Sequence, residues 1–141
     1  MQFIFFRFFK LINKNITVLD IGCGVGRLEH KLAKEVRYCV GIDIAPSMIA
    51  LAKKFTNAKN LDFIVVNGKN LNDLSSRQFN LIFSIIVFQH LPRDIFKNYI
   101  KESYKHLKAG GKLFFQIPIY HDIKPQEPPS NHPWAIRRYH T

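Results

Sequence analysis

Thr17-Val-Leu-Asp-Ile-Gly-Cys-Gly-Val-Gly-Arg27 is the stretch around which the rest of the chain is organised. Ile16 to Ile21 is apolar except at Thr17 and Asp20, which predicts a strand buried on both faces, as in a parallel sheet. Gly22, Gly24 and Gly26 follow at once, and a helical pattern begins behind them. A strand, a glycine loop and a helix N-terminus together make a site for a polar ligand. The glycines admit close approach of backbone, and the free N–H groups of the helix end point into the same space.

The glycine spacing selects among ligands. A dinucleotide fingerprint, G-x-G-x-x-G, carries its third glycine one residue later than Gly26 stands. Asp20 lies just ahead of Gly22, and a carboxylate at a strand tip is a poor neighbour for a pyrophosphate. It suits a ligand with a cationic end. A second acid, Asp43, closes the next apolar run about 20 residues on, the usual place for a carboxylate that accepts from ribose hydroxyls. A ribose and a cationic group without phosphate describe S-adenosylmethionine (SAM).

Val18-Leu-Asp-Ile-Gly-Cys-Gly-Val-Gly-Arg27 resembles the first motif of the class I SAM-dependent methyltransferases. Gly41-Ile-Asp-Ile-Ala-Pro-Ser-Met48 resembles their second motif. Phe79-Asn-Leu-Ile-Phe-Ser84 and Leu107-Lys-Ala-Gly-Gly-Lys-Leu-Phe114 look like their fourth strand and the turn into their fifth. The closest flavour is the small-molecule type exemplified by quinone-biosynthesis methyltransferases, and the match covers residues 16–118. The resemblance implies a Rossmann-like three-layer α/β sandwich with a mainly parallel sheet. Five strands are present, and the family's last helix and two strands are missing. It implies SAM as cofactor and in-line methyl transfer to a small-molecule acceptor.

The resemblance also implies roles for residues. Asp20 would face the methionine ammonium, and Gly22, Cys23, Gly24 and Gly26 would line the cofactor with backbone. Asp43, with Ile44 beside it, would take the ribose, and Met48 would pack on adenine. Asn67 stands where many relatives carry Asp to accept from the adenine amino group, with Gly68 offering backbone at the ring. Ser84 and Ile85 would lie near the transferred methyl. The sulfonium is already activated, so a base is needed only for a protonated acceptor. His90 is the sole histidine near the strand tips and the one candidate for that task. No metal cluster is expected.

Composition narrows the class. The 141 residues suit one globular domain, with 47% hydrophobic and 22% charged residues. The net charge of +11 permits attraction to nucleic acid or anionic membranes. Lys97, Lys101, Lys105 and Lys108 instead recur at helical spacing, as a solvent face requires. No Arg-rich run appears, and no Asn/Asp-Pro-Pro-Tyr motif follows the fourth strand, which argues against a nucleic-acid substrate. Two cysteines in apolar segments, no membrane-length apolar run and no cleavage site after the Phe-rich start indicate a reduced, cytoplasmic protein.

The chain divides into an apolar cap at 1–15, a core at 16–118 and a Pro-rich irregular tail at 119–141. Helical patterns cover Gly26–Val36, with Leu28, Leu32, Ala33 and Val36 inward and Glu29, Lys31, Lys34 and Glu35 mostly opposite. A second helix starts at Ala45-Pro46-Ser47 with Met48, Ile49, Leu51, Ala52 and Phe55 apolar. A third runs from Arg93 to Leu107 and stops on Ala109-Gly110-Gly111 as a glycine cap. The fifth strand, Lys112–Ile117, would be an apolar edge, with Trp134, Ile136 and Tyr139 as partial cover. Self-association through that edge and incomplete activity are the expectation. A non-catalytic SAM-binding module is the second reading, and a nicotinamide-binding domain the third.

Overall fold

The computed structural model describes residues 10–117. Five strands, β1 (Thr17–Ile21), β2 (Tyr38–Asp43), β3 (Leu61–Val65), β4 (Phe79–Ser84) and β5 (Leu107–Phe115), lie in one sheet of order β3-β2-β1-β4-β5. Every neighbouring pair is parallel. Three helices, α1 (Arg27–Leu32), α2 (Pro46–Lys54) and α3 (Arg93–His106), and two single 3-10 turns at Asn72–Leu74 and Phe88–His90 connect them. The chain steps outward from β1 to β3, then returns to β4 on the other side of β1. That reversal is where open α/β sheets bind ligands, beyond the carboxyl ends of the strands.

Alternation along β1 builds two cores. Val18 packs with Leu32, Ala33, Val36, Ile49, Ala52 and Phe63 on the face covered by α1 and α2. Leu19 and Ile21 pack with Leu71, Leu74, Phe88 and Tyr99 on the face covered by α3. A strand covered on both sides needs an apolar residue at each step, which is why the run from Val18 to Ile21 breaks only at Asp20. By the same alternation Asp20 falls on Val18's face, toward α1.

Three local expectations need correction. The helix predicted to Val36 is regular only to Leu32 and finishes in tighter turns, with Lys34 N–H on Lys31 O and Glu35 N–H on Leu32 O. Its Glu29, predicted on the wet face, is fully buried. Of the apolar positions of α2, which packs on β2 and β3, Ile49 and Ala52 are buried and Met48, Leu51 and Phe55 exposed.

The third correction concerns the end of α3. The helix stops at His106 without a glycine cap, because Leu107 turns extended and pairs with Phe79. β5 therefore starts earlier than Lys112, and its register shifts between the Leu107 and Lys112 pairings. Gly110, at φ 73, turns this bulge. A Cβ on Gly111 would stand 2.8 Å from Lys108 O and 3.1 Å from Phe79 O, so the bulge closes only over glycine. Among the described residues β5 pairs on one side only, at the sheet edge. Leu11 and Ile12 pack against the α1–α2 core. Residues 1–9 and the tail, with Trp134, Ile136 and Tyr139, lie outside the described residues.

Candidate functional site

The glycine loop spends its own donors. Gly22 and Cys23 N–H both donate to Ile42 O, at 2.8 and 3.0 Å, and Gly26 N–H donates to Cys23 O at 3.0 Å. Gly24 N–H donates to Asp43 Oδ2 at 2.9 Å. The N–H groups of Gly22, Cys23 and Gly24 thus fold the loop onto β2, and that of Gly26 closes the loop on itself. What the loop provides is space. A Cβ on Gly22 would stand 2.1 Å from Val87 Cγ2, so this glycine lets the segment after β4 close over the tip of β1. Gly24, at φ 55, has nothing within 4 Å of the corresponding point, so its backbone borders open space.

Asp43 organises the backbone there. Its Oδ1 accepts Ala45 N–H at 2.9 Å, so one carboxylate grips both the glycine loop and the entry to α2. Asp20 is buried. Burial, then the hydrogen bond and charge of Glu29, then the charge of Asp43, hold its carboxyl well above the usual carboxylate range. No N–H donor reaches either Glu29 oxygen, and both oxygens are buried. Glu29 thus stands buried beside Asp20 with neither of its oxygens matched to a donor among the described residues. Cys23 and Cys39 are free thiols, pushed up chiefly by burial and then by the acids around them. Neither has the thiolate character of a nucleophile.

The remaining expected residues divide. Ile44, just after the tip of β2, is 65% exposed, and Met48, in the first turn of α2, is 41% exposed. A Cβ on Gly68 would stand 3.1 Å from Ile44 Cγ2, so these two border one wall. Asn67 is committed to its own turn: its Oδ1 accepts Lys69 N–H at 2.7 Å and Asn70 N–H at 3.1 Å, using both lone pairs expected for adenine. Ser84 is buried, and its Oγ donates to Ile21 O at 2.9 Å, tying β4 to β1 rather than facing the methyl. Ile85 is half-buried in the α1–α2 core. His90 is exposed, with Gln89 Nε2 3.1 Å from its Nε2. Among the described residues no group of His, Cys, Asp and Glu could hold a metal ion.

Two residues of the site escape sequence reasoning. Glu29 precedes Leu32 by three and Ala33 by four, so its spacing already set it on the buried face. Its charge hid that. Ile86 follows β4 at φ 70 and is 52% exposed. A β-branched residue held there costs of order 1–3 kcal/mol, and such strain collects at ligand sites. Ile86→Gly is expected to raise stability by about 0.5–1.5 kcal/mol, since relief of strain exceeds the loss of a half-exposed side chain. Urea unfolding checks this; a loss instead would show the backbone there to be unstrained.

A polar cleft lined by Asn72, Arg77, Glu102, Lys105 and His106 lies at the opposite, amino end of the strands. The acids, the open space at Gly24 and the topological reversal all mark the carboxyl end. Together they define a Rossmann-like domain with its candidate site at the carboxyl end of the sheet.

Comparison with known proteins agrees. Residues 18–111 match the family described as the methyltransferase domain. The chain belongs to this family, the class I SAM-dependent methyltransferases. It is 33% identical over 113 residues to a ubiquinone biosynthesis O-methyltransferase of Coxiella burnetii, covering 75% of this chain and 47% of that protein. It is 35% identical over 108 residues to a malonyl-[acyl-carrier protein] O-methyltransferase of Priestia megaterium, covering 75% and 38%. The crystal structure of a SAM-dependent methyltransferase from Clostridium acetobutylicum superposes with a TM-score of 0.66 at 26% identity, covering 81% of this chain and 47% of that one. The chain thus spans less than half the length of these relatives. Among the described residues no helix is long and apolar enough to cross a membrane.

Proposed function

We propose that this chain binds SAM at the carboxyl ends of β1, β2 and β4 and directs its methyl to a small-molecule acceptor. The observation that carries the reading is the open space at Gly24, whose N–H is held by the Asp43 carboxylate, with exposed Ile44 and Met48 following Asp43 in the chain. Asp43 supplies acceptor capacity for ribose hydroxyls, Ile44, Met48 and Gly68 an apolar slot for adenine, and Asp20 a carboxylate for the methionyl ammonium. SAM brings an activated methyl, so the chain's task is orientation and exclusion of water. His90 assists a protonated acceptor without defining the site. The same reading runs the core from 16 to 118, in the cytoplasm, with nucleic acid excluded as substrate and self-association through the β5 edge, which size-exclusion chromatography tests.

A non-catalytic SAM-binding module is the second reading, favoured by one observation: the candidate base, His90, is exposed, and among the described residues its ring hydrogen-bonds Gln89 alone. Titration calorimetry with S-adenosylhomocysteine (SAH) and with NAD tests the cofactor. Binding of SAH alone is expected, and NAD binding or no binding of SAH would overturn it. Transfer of labelled methyl from SAM into a metabolite extract separates enzyme from binding module.

A further inference from the structure

Among the described residues the acid pair under the glycine loop has no counter-ion. Glu29, in the first turn of α1, is 0% exposed, and neither of its buried oxygens meets an N–H donor. Asp20, at the tip of β1, is the buried acid beside it, and Glu29 helps to hold the Asp20 carboxyl well above the usual range. The titratable groups facing the pair are Asp43 and Cys39 from β2 and Cys23 from the loop, all of them acids. His30, next on α1, turns its ring to Phe63, with centroids 5.8 Å apart. The ion pairs of the described residues, Arg77–Asp62 and Lys105–Glu102, involve neither acid. Two buried carboxyls without a cation are costly to hold. The arrangement is one into which a cation fits.

We propose that Glu29 is a positioning residue for the cofactor: it holds Asp20 through one shared proton in the free protein and supplies the second negative charge of the pair when the cofactor's ammonium replaces that proton. The inference rests on the SAM reading above. The exchange balances: the O–H···O bond between the acids opens, an N–H···O bond from the ammonium to Asp20 forms, and the proton leaves to solvent. No bond of the cofactor changes. Affinity then rises with pH, by up to about tenfold per pH unit where one whole proton is released.

The test is calorimetric titration of the 141-residue chain with SAH between pH 5.5 and 7. There a free α-amino group, titrating near ~8, is already an ammonium. Running each pH in two buffers of different ionisation enthalpy counts the protons released. The wild type is expected to release a proton on binding, and Glu29→Gln, whose amide donates to an ionised Asp20, to release at most about half as much, with a flatter pH profile. Equal release by both would overturn the proposal.

If SAH binds at no pH, the cofactor reading fails, and the pair is judged on the free protein. An acid that holds its proton more tightly when folded gives stability that is full below about pH 4 and lost as pH rises through its native titration. The melting temperature of the wild type should therefore fall with rising pH through that window. Glu29→Gln should flatten the fall, and so should Asp20→Asn, which keeps a donor toward Glu29. An unchanged slope in whichever variants fold would overturn the shared proton itself.

Discussion

Asp43→Ala is expected to lower stability by about 2–4 kcal/mol and to remove measurable SAH binding. The stability term comes from two hydrogen bonds to one carboxylate, from Gly24 N–H and Ala45 N–H, each 2.9 Å long. Bonds to a charged acceptor contribute about 1.5–3 kcal/mol each, and water replaces part of that at a half-buried side chain. The binding term has two sources. The ribose loses its charged acceptor, and the glycine loop loses the tie that holds Gly24 in place. Asp43→Asn separates them, because an amide oxygen still accepts one backbone N–H without the charge. It should recover about half the stability while binding SAH at least tenfold more weakly than the wild type, the equivalent of ~1.4 kcal/mol. Urea unfolding and calorimetry on the three proteins measure both terms. Wild-type affinity in Asp43→Ala would dismiss the ribose assignment, and wild-type stability would dismiss the clamp.

The sequence carried the fold where the physics is local. Apolar runs located all five strands, the fifth only from Lys112 onward, and the alternation of strand with helix required the parallel sheet. Asp43 was legible because a strand tip facing a glycine loop has few uses. What failed was long-range. Glu29 looked like a surface residue because a lone acid is seldom buried, yet its partner, Asp20, stands on a different element. Gly110 looked like a helix cap because helices commonly end on glycine. Nothing local showed that Leu107 would find Phe79 and start β5 early. Asn67 and Ser84 were read toward the cofactor, while each spends its side chain on backbone: a turn in one case, a tie between strands in the other. Short polar side chains satisfy neighbouring backbone first, and a sequence does not print which neighbour is left wanting.

Phe88→Ala is expected to cost about 3–5 kcal/mol, a large part of the ~5–15 kcal/mol typical of a whole domain. Phe88 is buried in the turn after β4. Its ring meets Phe96 edge-on at 5.5 Å, Phe115 at 5.6 Å and Tyr99 at 5.9 Å. Phe96 and Phe115 also meet each other at 5.8 Å. The cluster therefore joins the β4 tip, α3 and the end of β5. Truncation leaves a cavity among rings that cannot easily collapse, and it removes several aromatic contacts at once. The consequence reaches the site. One residue earlier, Val87 fills the space over Gly22, and before it Ile86 is held at φ 70. Loosening Phe88 frees both, so SAH affinity should fall even in molecules that remain folded. Phe88→Leu, which fills more of the space, should cost much less. Thermal unfolding with and without SAH distinguishes the effects. Saturating ligand raises the melting temperature by mass action, and the rise should be smaller in Phe88→Ala than in the wild type. An equal rise in the two proteins would show that the cluster supports the fold without shaping the cofactor site.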